Sequence, residues 1–157
     1  MTVQPIPEGY HSLTPYLIAK GATEAIAFYQ KAFDATEIMR MEGPGGTVAH
    51  AELQIGDSRM MLAEEHPDMN ALAPQSPGSS GASLCLYVEN VDQVVARAID
   101  AGAKVQRPLQ DQFYGDRSAT LEDPFGHVWT VATHVEDVLP EEMDRRAQEM
   151  MNAPETE

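Results

Sequence analysis

LTPYLIAKGATEAIAFYQKAFDA (residues 13–35) and SLCLYVENVDQVVARAIDAGA (residues 83–103) share one plan. Each has a short β-rich run, then a helical segment, then a small-residue stop. The copies lie about 69 residues apart and keep that offset to within one residue, so the chain contains an internal repeat. In the first copy Ala25, Ile26, Tyr29, Ala32 and Phe33 recur at helical spacing; in the second, Val91, Val94, Val95, Ala98 and Ile99 do so. Asn90 is placed to cap the start of the second helix and Gly102 to close its end in a left-handed conformation. The first helix ends on Asp34, which tolerates that conformation less well than glycine, so this end is expected to fray.

Strand signals follow each helix. The first copy continues through residues 37–42, a GPGG turn, residues 48–55, a Gly56-Asp57 turn and residues 58–64. The second continues through 104–109, 118–122, the turn Asp123-Pro124-Phe125-Gly126 and 127–134. The pattern predicts an α+β fold of two β-α-β-β-β modules, over 11–64 and 82–137. Residues 65–81 between them are rich in Pro, Gly and Ser and read as a linker or lid. Residues 138–157 read as a C-terminal helix and tail. There Pro140 suits the first helical turn, and Met143, Ala147, Met150 and Met151 share one face that packs on the body or on a partner chain.

A length of 157 residues suits one domain or two small fused modules. No run of about 18 apolar residues is present, and the first residues show no secretory signal, so a cytoplasmic location is expected. Cys85 is the lone cysteine. That excludes internal disulfides and cysteine-rich metal centres, and the side chain reads as small and buried. The 25 acids against 10 bases, a net charge of −15, argue against a nucleic-acid partner. The acidic balance serves solubility, or it draws cationic ligands.

Strand parity sorts the side chains. Ala49, Ala51, Leu53 and Ile55 alternate with His50, Glu52 and Gln54; Leu84, Leu86 and Val88 alternate with Ser83, Cys85 and Tyr87. Tyr16 and Tyr87 are not typical of a face given wholly to solvent, so the polar faces read as a semi-polar concave surface suited to a small molecule. His50 and Glu52 lie two apart on one face. They read as a hydrogen-bonded pair, as a general base with its orienting carboxylate, or as two donors to one ion with help from Glu122, Glu64 or Glu65. In DQFYGDR (residues 111–117), Phe113 and Tyr114 offer flat apolar faces and Arg117 a fork of donors. The segment either clamps a planar or anionic group, or it is a turn in which Arg117 pairs with a nearby acid. His11, His66, His127 and His134 fall at strand ends or in loops, where exposed or backbone-orienting roles are expected. No nucleophile constellation is evident, and the GPGG turn lacks the lysine and helix of a phosphate loop.

The paired modules, together with AFYQKAFDA, HAELQIGD and QFYGDRSATLEDPFGHVW, resemble the vicinal-oxygen-chelate superfamily. This is the group of glyoxalase I, bleomycin-resistance proteins and extradiol dioxygenases, and the chain is most similar to its PhnB-like branch. The resemblance covers about residues 11–137 and implies modules that form open β-barrel cups, commonly paired across a homodimer. It also implies metal ligands, usually His and Glu, on the first and last strand of each module. Carried over, these fall at Thr14, Ser83, Thr130 and either Met61 or Leu62, none of which is a good ligand for a divalent ion. No metal or other cofactor is therefore expected, a divalent ion near His50 and Glu52 being the alternative. The expected function is metal-independent binding of a cationic or aromatic small molecule in a concave cup. Tyr16, Tyr87, Phe113 and Tyr114 would stack on the ligand, and Glu52 and Glu122 would meet its positive charge. A glyoxalase-like lyase or isomerase with a non-standard metal site is the alternative.

Overall fold

The structure, a computed structural model, describes residues 2–154. The last three residues of the expected tail, 155–157, lie outside the described residues. Along the chain run β1 (Tyr16–Ala19), α1 (Ala22–Phe33), β2 (Thr36–Glu42), β3 (Val48–Ile55) and β4 (Ser58–Glu64). Then come β5 (Ser83–Tyr87), α2 (Val91–Ala101), β6 (Lys104–Asp111), β7 (Asp116–Glu122), β8 (Val128–His134) and α3 (Pro140–Asn152). The repeat produces two four-stranded sheets of equivalent order, β1-β4-β3-β2 and β5-β8-β7-β6. In each, the strand before the helix pairs in parallel with the last strand, and the other pairs are antiparallel. Neither sheet closes into a barrel; each is an open cup.

Alternation assigns the inner faces. Leu17 and Ala19, Ala51, Leu53 and Ile55, and Met60 and Leu62 are buried from the first sheet. Ala119 and Leu121, and Trp129 and Val131, are buried from the second. α1 and α2 pack against each other between these faces, so one core serves both modules. Tyr29, Phe33 and Trp129 meet across the modules, with Phe33 and Trp129 ring centroids 4.7 Å apart. Ile99, expected on the apolar stripe of α2, is instead 46% exposed at the margin of that stripe.

The last strand of each module caps its own helix. The Glu64 carboxylate accepts from the amides of Gly21, at 3.1 Å, and Ala22, at 2.6 Å. At the matching place in the second module, Thr133 Oγ1 accepts from the Val91 amide at 2.9 Å and donates to the Val88 carbonyl at 2.7 Å. Asn90 adds its expected side-chain cap to the Gln93 amide. The Asp34 end of α1 does not fray: Asp34 adopts φ 57° and donates its amide to the Tyr29 carbonyl. Burial of Ala32 and Phe33 in the core outweighs the small backbone cost.

Three boundaries move by two residues or more. β1 starts at Tyr16 rather than Leu13, because Pro15 has no amide to donate and Leu13 stands exposed. β6 runs on to Asp111 through two register shifts, which absorb Pro108 on this edge strand. β7 starts earlier, at Asp116. Beyond β8 the chain returns over the preceding turn, where the amides of Val135 and Glu136 donate to the Gly115 carbonyl. Gly115 has φ +100°, and a Cβ there would lie 2.1 Å from the Glu136 carbonyl oxygen. Only glycine fits that crossing. Among the described residues no helix is long and apolar enough to cross a membrane.

Candidate functional site

Residues paired across strands share a face. Tyr16, Met61, Glu52 and Met39 therefore form one row across the open side of the first sheet. His50 and Met41 lie one rung along in one direction, and Gln54 and Arg59 one rung along in the other. The row is set by the buried partners: once Leu17, Ala51, Leu53 and Leu62 go to the core, their neighbours must face outward.

Three of these side chains form a chain of hydrogen bonds. The Tyr16 hydroxyl lies 2.8 Å from His50 Nδ1, and His50 Nε2 lies 3.2 Å from Glu52 Oε1. A carboxylate only accepts, so Nε2 carries the hydrogen and Nδ1 accepts from tyrosine. His50 and Glu52 are largely covered, their side chains 24% and 20% exposed, whereas Tyr16 is 51% exposed. The group presented to a ligand is thus the Tyr16 hydroxyl, with the histidine behind it. Desolvation and the Glu52 charge both push the Tyr16 hydroxyl above its ordinary range, so it stays neutral.

The segment before β1 folds over one end of this face. Arg59 lies over the Tyr10 ring, 5.2 Å from its centroid, and donates to Gln54. The Tyr10 hydroxyl is buried without a well-formed hydrogen bond among the described residues. It nevertheless faces Glu52 closely enough to be the first influence holding that carboxyl below its ordinary range. Burial of the carboxyl opposes this, and His50 and Arg59 reinforce it.

The open face of the second sheet carries a different cluster. Tyr87 donates to Asp116 at 2.7 Å, and the same carboxylate faces His134 Nδ1 at 2.8 Å. His134 Nε2 faces Asp137 at 2.7 Å. The hydrogen bond to Asp116 pushes the Tyr87 hydroxyl up to about 12, and the two carboxylates raise His134. Here the acid is central and the tyrosine hydroxyl is spent on it. Cys85 shares this face and is exposed, not buried as expected, because Leu84 and Leu86 take the inner side. Desolvation first and the Asp116 charge second push its thiol up, so it is a poor nucleophile.

The remaining candidates are dispersed. Phe113 and Tyr114 sit in the turn before β7 and pack edge-to-face, 5.2 Å apart. The Phe113 carbonyl accepts from Arg146 of α3. Arg117 is held by Asp92 at 2.9 Å and Asp111 at 3.2 Å, so its fork is occupied, as in the turn reading. Glu122 is on the second sheet, paired in register with Lys104 and Val128, and so does not approach His50. His127 is 9% exposed and meets the Ile18 carbonyl at 2.9 Å, tying the second module to β1. A mostly apolar cavity of about 240 Å³ lies elsewhere, where His11, Leu13 and Thr14 meet Leu84, Leu86 and Trp129. Tyr16, His50 and Glu52 do not line it, so this cavity and the polar chain are separate features.

Residues 11–131 match the family model of the Glyoxalase/Bleomycin resistance protein/Dioxygenase superfamily. The chain belongs to this superfamily. Among its relatives is the uncharacterized protein Rv0887c of Mycobacterium tuberculosis, 40% identical over 135 residues, 84% of this chain and 79% of the relative. Among solved structures, TioX from Micromonospora sp. ML1 superposes with a TM-score of 0.64 at 24% identity, over 80% of this chain and 99% of TioX. The PhnB protein from Bacillus cereus gives 0.60 at 21% identity, over 78% and 99%. The fosfomycin resistance protein FosX from Listeria monocytogenes gives 0.62 at 19% identity, over 85% and 97%. At these identities the structural likenesses speak for the fold alone.

The superfamily's metal positions can be tested on the donors present. Thr14, Ser83 and Thr130 offer neutral hydroxyls and Met61 a thioether, while Leu62 is fully buried on the inner face. This donor set does not suit a divalent ion. Of the alternative set, His50 and Glu52 lie within hydrogen-bond distance of each other, whereas Glu64 caps α1 and Glu122 lies on the other sheet. Among the described residues no three His, Cys, Asp or Glu are grouped to share an ion.

Of the features that parity did not reveal, Arg59 was within reach, being two residues from Met61 on one strand. Tyr10 was not, because it precedes every strand. The Asp116 cluster is not legible from parity, because Asp116 directly follows the turn glycine Gly115 at the very start of β7.

Proposed function

We propose that this protein is a metal-independent small-molecule binding protein of the glyoxalase/bleomycin-resistance type. It holds an aromatic or cationic ligand against the open face of its first sheet. The observation that carries this reading is the Tyr16–His50–Glu52 chain, set among the thioethers of Met39, Met41 and Met61. Such a face offers polarizable contacts to a ring, one fixed polar anchor and an ionised carboxylate behind it. The donor chemistry at the superfamily's metal positions supports a mechanism without a metal. Met41 and Tyr16 are more than half exposed in the single chain, which supports a homodimer whose second copy covers this cup; sedimentation equilibrium checks that stoichiometry. A cytoplasmic location belongs to the same reading.

Benzyltrimethylammonium, a cation with an aromatic ring, is a suitable probe. Saturating probe should raise the melting temperature, by about 2.7 kcal/mol of stabilisation at a hundredfold excess over Kd. Glu52→Gln should keep the fold and weaken binding severalfold. Equal affinity in wild type and variant would contradict the assignment of the cup.

A further inference from the structure

Tyr16, His50 and Glu52 are arranged so that a proton arriving at one end has somewhere to go. Tyr16 is half exposed, and its hydroxyl lies 2.8 Å from His50 Nδ1, to which it donates in the tautomer with the ring hydrogen on Nε2. His50 Nε2 points its hydrogen at the Glu52 carboxylate, 3.2 Å away. Building on the small-molecule reading above, we propose that this chain is a proton relay, through which the cup binds weakly acidic O–H ligands, phenols or enols, as their conjugate bases.

The step balances. The ligand O–H bond breaks and its proton passes to Tyr16 Oη, while the bonding electron pair stays on the ligand oxygen. The original Tyr16 proton passes to His50 Nδ1 in the same movement. Tyr16 ends as a neutral hydroxyl donating to the ligand oxyanion, and His50 ends as an imidazolium against the Glu52 carboxylate. No free tyrosinate is formed, which suits a hydroxyl held in its neutral state. The ion pair forms at a partly covered position, where it is worth more than in open water.

The charged and titratable groups facing His50 are few. Tyr16 comes from β1 and Glu52 from its own strand, while Arg59 from β4 and Tyr10 from the segment before β1 act on Glu52 behind it. β2 contributes Met39 and Met41, which carry no charge, and its Arg40 is paired with Glu37. Arg59 is the competing cause of any ligand ionisation, since its positive charge would favour an anion without a relay.

The test uses 4-nitrophenol, whose anion is yellow, at a pH below the probe's own pKa, where the free probe is colourless. Binding is followed independently by the methyl NMR signals of Met39, Met41 and Met61, and ionisation by the nitrophenolate absorbance band. Wild-type protein is expected to shift the methionine signals and to turn the bound probe yellow. Tyr16→Phe and His50→Gln are expected to bind more weakly, still to shift the methionine signals at saturating probe, and to lose the band under that saturation. A wild-type complex that stays colourless overturns the relay while leaving the binding reading intact. A band that survives in Tyr16→Phe overturns the relay through tyrosine; if it also survives in His50→Gln, the ionisation belongs to Arg59. If the probe moves none of the three methionine signals, the relay is overturned, and the small-molecule reading then stands or falls on benzyltrimethylammonium alone.

Discussion

His134 is held on both sides, by Asp116 at 2.8 Å and by Asp137 at 2.7 Å, and both carboxylates favour its charged form. A histidine whose pKa is raised on folding contributes stability below its unfolded value and loses it as pH rises through the folded value. The tie between β8 and the segment after it should therefore be strongest in mild acid and weaken as pH climbs past the ordinary histidine range. The check is the melting-temperature difference between wild type and His134→Asn, measured across that range. The difference is expected to shrink with rising pH; a constant difference would mean that the charge contributes nothing. Single residues were unevenly legible in the sequence. The shared face of His50 and Glu52 follows from parity alone, since an i, i+2 spacing on a strand leaves no freedom. The role of Tyr16 as the outermost member was not legible, because it depends on which strand pairs with which.

At the scale of elements, both helices borrow their caps from a strand far along the chain. Glu64 supplies two acceptors to the start of α1, where Gly21 offers no side chain of its own. Glu64→Ala should cost about 1–2 kcal/mol, from the lost cap and the lost charge at the helix N-terminus. Denaturant unfolding measures it, with Glu64→Gln, which keeps an acceptor, expected to recover part of the loss. No change in the midpoint with Glu64→Ala would mean that the cap contributes little. The elements themselves were readable, because 3.6-residue and two-residue periods are written in local sequence. β3 and β4 match their expected bounds. What failed was local backbone chemistry: Pro15 delayed β1, and bulges carried β6 past Pro108. The tertiary caps were invisible for a different reason, since the partners are 42 and 43 residues apart.

The whole molecule is joined by one buried carboxylate. Asp123, 2% exposed, accepts from Tyr29 of the first module at 2.6 Å and from Trp129 of the second at 2.9 Å. It also takes the amides of Phe125 and His127. Asp123→Ala would strand these donors in the core, and should cost about 3 kcal/mol or more on denaturant unfolding. A cost below about 1 kcal/mol would mean that water or a new partner satisfies them. The repeat made the two-module architecture legible, and in the sequence the turn at Asp123 looked like a turn and nothing else. That the two helices also pack on each other between the sheets could not be read, because their apolar faces suit either a sheet or each other. That packing leaves each sheet with one open face, and on the first of these the account rests. The most direct test is a titration of benzyltrimethylammonium into chelator-treated protein, followed by the methyl signals of Met39, Met41 and Met61. These signals are expected to shift and saturate, with the same affinity when zinc, manganese or nickel is restored. Shifts that appear only with a divalent ion, or that spare these three methionines, would contradict metal-independent binding on this face.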